Sequence, residues 1–193
     1  MVVVIGLIMT AVTFFGVAPM LTRSHVDSAY ETTLMVLRDT RHLAITQSHE
    51  YKVTFNPGGF APGTILVEYQ PPAAGGVFPP LQRVNTYTLP TDVRFAVQAG
   101  FPASTPDGFG TGINNIDFGQ GLGGGALNYV AFMPDGSARD TNNLGNYNSG
   151  VVYITRPADT IYSSRAVTVW GSTGRIRGWR LDKQAGSAVW VQQ

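Results

Sequence analysis

The first 22 residues, MVVVIGLIMTAVTFFGVAPMLT, contain no charged side chain, and Arg23 is the first that they meet. At about 1.5 Å per helical residue such a run reaches across the ~30 Å apolar core of a bilayer. It lacks the basic n-region and the small-residue cleavage site of a signal peptide, and Pro19 directly after Ala18 disfavours cleavage there. A helix buried in a soluble core is rarely this long without a charge. Residues 1–22 are therefore read as a single membrane-spanning segment, and Pro19, which removes a backbone donor, is expected to kink or unwind it locally.

No Gly or Pro occurs between Ser24 and Glu50. Val26, Tyr30, Leu34, Leu37, Ala44 and Ser48 recur near the 3.6 period, with Asp27, Glu31, Arg38, Arg41 and His42 on the opposite side. The segment 23–50 thus reads as an amphipathic continuation of the same helix. Beyond it the period becomes two: Tyr51, Val53 and Phe55 alternate with polar residues before the turn Asn56-Pro57-Gly58-Gly59. Further strands are expected at Thr64 to Gln70, Arg83 to Leu89, Asp92 to Val97, Tyr129 to Phe132, Ser137 to Arg139, Val151 to Arg156, Arg165 to Trp170 and Arg175 to Leu181. Residues 71–80 and 99–115 read as loops. The chain holds 23 Gly and 12 Pro with only 13% charged residues, against a typical ~25%, which favours strands and loops over a helical bundle. The expected class is α+β: a long N-terminal helix, transmembrane in one half and amphipathic in the other, packed on an antiparallel β-rich globular domain over 51–193.

Little in the chain speaks for catalysis. Without Cys, disulfide scaffolds and thiolate metal sites are excluded. Gly119-Gln120-Gly121-Leu122-Gly123-Gly124 fits a dinucleotide pattern, but that pattern needs a helix after it, and Ala126 to Met133 reads as a strand. His25, His42 and His49 all fall on the helix at spacings that form no metal motif, and read as solvated positions. No nucleophile elbow and no close acidic pair stands out. The chain is read as a non-enzyme with no catalytic residue, metal or cofactor.

Charge is uneven along the chain. Residues 1–150 carry 7 Lys and Arg against 10 Asp and Glu, whereas residues 151–193 carry 6 against 2. Within that basic end lies Gly174-Arg175-Ile176-Arg177-Gly178-Trp179-Arg180, with Lys183 beyond it. On a strand, Arg175, Arg177 and Trp179 share one face, the two arginines roughly 6–7 Å apart. Guanidinium groups that hold phosphates beside an indole that stacks on bases would grip nucleic acid without sequence preference. The competing reading is a charged edge strand whose arginines deter edge-to-edge pairing.

Taken together, MVVVIGLIMTAV, the helix up to Thr46-Gln47-Ser48, the hairpin Phe132-Met133-Pro134-Asp135-Gly136-Ser137 and the close Val167-Thr168-Val169-Trp170-Gly171-Ser172-Thr173-Gly174-Arg175-Ile176-Arg177 resemble type IV pilins and type II secretion pseudopilins, in particular the minor GspH/FimT-like branch. The resemblance implies a pilin-like globular domain and a structural subunit, anchored in the bacterial inner membrane with its body in the periplasm. It also implies trimming and N-methylation by a prepilin peptidase, and assembly through the N-terminal helix with other major and minor pilins or pseudopilins into a secretion pseudopilus or a type IV pilus. The loops 71–80 and 99–128 would meet neighbouring subunits. Family members carry a short basic leader and an early Glu that would both precede Met1, so a start further upstream is expected. The Gly174 to Arg177 pattern is similar to the DNA-binding motif of FimT-like pilins used in natural transformation. That gives an alternative role as a DNA receptor through Arg175, Arg177, Trp179, Arg180 and Lys183. A further alternative is a single-pass periplasmic binding module unrelated to filaments.

Overall fold

Alternation of buried and half-exposed residues organises most of the chain. In this computed structural model residues 2–59, 62–73, 76–77, 79–120 and 125–193 are described, with only the backbone path given for residues 2–23 and Leu144. Among the described residues one α-helix, α1 (Val2–Gln47), precedes twelve strands: β1 (Glu50–Asn56), β2 (Thr64–Gln70), β3 (Gln82–Thr88), β4 (Arg94–Phe95), β5 (Ile116–Gln120), β6 (Tyr129–Phe132), β7 (Ala138–Asp140), β8 (Asn143–Tyr147), β9 (Ser149–Thr155), β10 (Arg165–Trp170), β11 (Arg175–Gln184) and β12 (Ser187–Gln192). They form two antiparallel sheets. The first runs β3-β2-β1-β6-β7-β8, and the second runs β12-β11-β10-β9-β4 with β5 also paired to β9.

The described side chains of α1 begin at Ser24, and Val26, Ala29, Tyr30, Thr33, Leu34, Leu37, Thr40 and Ala44 are buried at the three-and-four spacing of one helix face. Thr33 and Thr40 satisfy their buried hydroxyls by donating to the carbonyls four residues back, at 2.8 and 2.6 Å. Ser48 does not join that face; it is exposed, and its φ of 56° ends the helix in a left-handed turn, with the His49 N–H donating to the Ala44 carbonyl. In β1 the sequence alternation appears directly, with Tyr51, Val53 and Phe55 buried. Phe55 stacks on Phe118 and meets Phe95 edge-on, so β1, β4 and β5 share one apolar core with the helix. A second, smaller cluster lies on the far side of the second sheet, where Val151, Tyr153, Ala166, Leu181 and Trp190 pack with Phe101, Phe109 and Trp179.

The expected α+β class, a long helix half transmembrane and half amphipathic on a pilin-like domain, is corrected here. Among the described residues the protein is mostly antiparallel β-sheet, and the helical stretch with described packing is 24–47. Asp27, Glu31, Arg38, Asp39 and Arg41 interrupt that stretch, and among the described residues no helix is long and apolar enough to cross a membrane. The side chains of the apolar run 1–22, Pro19 included, lie outside the described residues. The reading of 99–128 as loop also changes, because β5 lies inside it. Gly119 and Gln120 of the glycine pattern belong to β5, 121–124 lie outside the described residues, and 125–128 lead into β6 with no helix. Nor is every histidine a free solvated position: His25 Nδ1 meets Asp92 at 2.9 Å, and His49 packs edge-on against Tyr69.

Candidate functional site

The hairpin β10–β11 carries the basic motif, and its register decides where each side chain goes. Trp170 pairs with Arg175, Thr168 with Arg177 and Ala166 with Trp179, so alternation gives these six residues one face of the sheet. The other face, with Val167, Val169 and Ile176, packs into the main core. Gly178 belongs to that inner face, where a Cβ would fall 1.7 Å from the Tyr30 hydroxyl, so the helix sits directly on the strand.

The turn before β11 is held from the helix. Arg41 Nε donates to the Gly136 carbonyl at 3.1 Å and Nη2 to the Thr173 carbonyl at 3.0 Å. Gly174 is buried at a φ of +59°, and a Cβ there would lie 1.9 Å from the Gly136 oxygen and 2.7 Å from Arg41 Nε. Only glycine meets both demands, the left-handed backbone and the close approach. Beside this junction Arg38, Arg41, Thr173, Gly174, Arg175 and Ile176 line an open cavity of about 450 Å³. Among the described residues three arginines line it and no carboxylate does, a donor set suited to an oxyanion such as phosphate.

The five residues that sequence reasoning assigns to nucleic acid are not equivalent. Arg175 is exposed, and among the described residues its guanidinium meets no carboxylate. Arg177 instead donates from Nη1 to Asp107 Oδ1 at 2.5 Å, with its guanidinium 5.7 Å from the Trp170 ring centre. Trp179 donates from Nε1 to Thr168 Oγ1 at 3.1 Å, and Thr168 donates in turn to Asp107 Oδ2 at 2.5 Å. Arg177 and Trp179 are thereby gathered into one network around a carboxylate that is 4% exposed. Arg180 lies on the opposite face of β11 and pairs with Asp182 at 3.1 Å. The Asp182 carboxyl is held below the usual carboxylate value by the Lys183 N–H and by Arg180. Lys183 is exposed near the end of β11.

Sequence reasoning missed Asp107, Arg38 and Arg41. Asp107 sits in a Pro-Asp-Gly turn, a signal for a bend but not for a partner 70 residues away. The contacts of Arg41 lie 95 and 132 residues along the chain, beyond any local pattern. Compared with known families, curated proteins and solved structures, the chain gives no significant match.

Proposed function

We propose that the protein is a minor subunit of the type IV pilin and type II secretion pseudopilin class, a structural component without catalysis. In this reading the uncharged run 1–22 anchors it in the inner membrane, the body faces the periplasm, and a prepilin peptidase and other pilins or pseudopilins are its partners. One observation supports the reading above the rest. The helix, the Pro134-Asp135-Gly136 turn and the Gly174 turn carry the family resemblance, and all three meet at Arg41. Segments so distant in sequence have a shared physical reason to go together. The test is the intact mass and N-terminal sequence of the full-length protein from membranes of cells with and without a prepilin peptidase. A processed, N-methylated terminus only where the peptidase is present is the expected result, and an identical unprocessed chain in both would overturn the reading. Replacing Val4 or Leu7 with Asp should abolish insertion or assembly, since a central charge costs ~2.5–3.5 kcal/mol on insertion scales.

A second reading, DNA binding, is favoured by the arginine-lined cavity. Arg175 and Arg38 supply guanidinium groups without a carboxylate partner among the described residues, and Arg41 adds a third that its two carbonyl bonds hold in place. Lys183 adds charge farther along the same strand. Full-length protein in detergent should retain an oligonucleotide less as salt rises, and Arg175→Ala should flatten that slope by about one phosphate contact. Retention that ignores salt would sink it.

A further inference from the structure

The chain between β4 and β5, residues 96–115, lies as a strap over the outer face of the second sheet. Phe101 meets Trp190 and Tyr153 with ring centres 5.3 and 5.6 Å apart, and Phe109 meets Trp170 at 4.9 Å. Between those two anchors Asp107 reaches Thr168 and Arg177. This face therefore holds an aromatic and cationic surface of the kind that binds single strands, but with a carboxylate already seated on its central arginine.

The latch leaves one donor of its arginine unused. Asp107 has φ 53° and ψ 11°, a left-handed turn conformation that Asp tolerates, and the turn aims its carboxylate at the sheet. Arg177 Nε is buried and has no hydrogen-bond partner among the described residues, so the ion pair uses only part of the guanidinium's donor set. A phosphate that replaced the carboxylate, with more acceptor oxygens, could satisfy that donor as well.

We propose that the strap is an autoinhibitory cover: Asp107 occupies Arg177 and keeps the Arg177–Trp179 face from phosphate-bearing strands until a competing anion releases it. The proposal rests on the DNA reading and adds its regulation. In the closed state Arg175, Arg38 and Lys183 make first contact, and Arg177 joins only when Asp107 leaves.

The experiment uses full-length protein in detergent, a fluorescent single-stranded oligonucleotide, and acrylamide quenching of tryptophan. All three tryptophans, Trp170, Trp179 and Trp190, belong to the sheet that the strap covers, so their emission reports its opening. Asp107→Asn should bind at least ten-fold more tightly than wild type and be quenched more readily. The gain should vanish when Arg177→Ala is added to Asp107→Asn. Glu68→Gln, on the other sheet, removes the same charge and should give no such gain. Should Asp107→Asn fold poorly, Asp107→Gly removes the carboxylate with a residue that also suits the left-handed turn, and should show the same gain. Unchanged affinity in both Asp107 variants, with Arg175→Ala still weakening binding, would overturn the latch and leave the DNA reading standing. No binding by wild type or by either Asp107 variant would remove the DNA reading and the masking role with it.

Discussion

The two ends of one short motif, Gly174 and Arg177, do opposite kinds of work. At Gly174 the chain is closed tightly: two carbonyls receive Arg41, a glycine fills a space that admits no Cβ, and helix and hairpins are locked together. Three residues on, Arg177 is held by the carboxylate of Asp107, and its buried Nε has no hydrogen-bond partner among the described residues. A motif that looks like a single binding signature in sequence thus divides into a structural half and a latched half. The residue between them that points to a ligand is Arg175, which lines the cavity shared with Arg38 and Arg41.

The largest test of this division is Gly174→Ala. A Cβ 1.9 Å from a backbone oxygen, at a positive φ, cannot be absorbed by a flexible side chain. The expected loss exceeds about 3 kcal/mol in urea unfolding of the full chain. A loss under about 1 kcal/mol would show that the junction yields. Arg41→Ala comes next. It removes two charge-assisted hydrogen bonds at once, and about 2 kcal/mol should be lost, while Arg175→Ala should leave the unfolding midpoint nearly unchanged. Equal effects from the two would erase the distinction between the clamp and the free cation.

Smaller effects sharpen the picture of the strap side. Burial pushes the Tyr153 hydroxyl's pKa up, and that oxygen has no hydrogen-bond partner among the described residues. Tyr153→Phe should therefore be neutral or stabilising by up to about 1 kcal/mol, and a loss of 2 kcal/mol would reveal a partner for the hydroxyl. The smallest effect concerns acid. Partial burial raises the Asp92 carboxyl, but hydrogen bonds from His25 and Arg156 outweigh it and hold it below its ordinary value. A carboxyl depressed on folding stabilises above its unfolded pKa of about 3.9, and that contribution fades as pH falls through the lower folded value. Asp92→Asn should flatten the loss of stability below pH 4 by under about 1 kcal/mol, and a slope identical to wild type would show that the pair is not felt.

How far the fold could be read ahead depended on local signals. The inner face of α1 and the alternation of Tyr51, Val53 and Phe55 were legible because burial follows the helix and strand periods there. β12 was not, since Ala185 turns the chain at φ 49°, a seat that turn chemistry assigns to Asn, Asp or Gly. β5 hid because Asp117 and Gly119 interrupt it with residues that strands disfavour, and β8 because it is Asn- and Gly-rich. The body's two antiparallel sheets, rather than the helix, set the class. In the site, the shared face of Arg175, Arg177 and Trp179 followed from period two. Asp107, which decides what Arg177 can do, carried no sign of its target.

Arg177 is bound to Asp107, while Gly174 closes the clamp with Arg41 and Arg175 is left to bind. A double-mutant cycle on unfolding free energy, with Asp107→Asn, Arg177→Gln and the pair, tests it directly. A favourable coupling of about 1.5–3 kcal/mol is the predicted result. Additive losses, with coupling within about 0.3 kcal/mol of zero, would contradict it and return Arg177 to solvent.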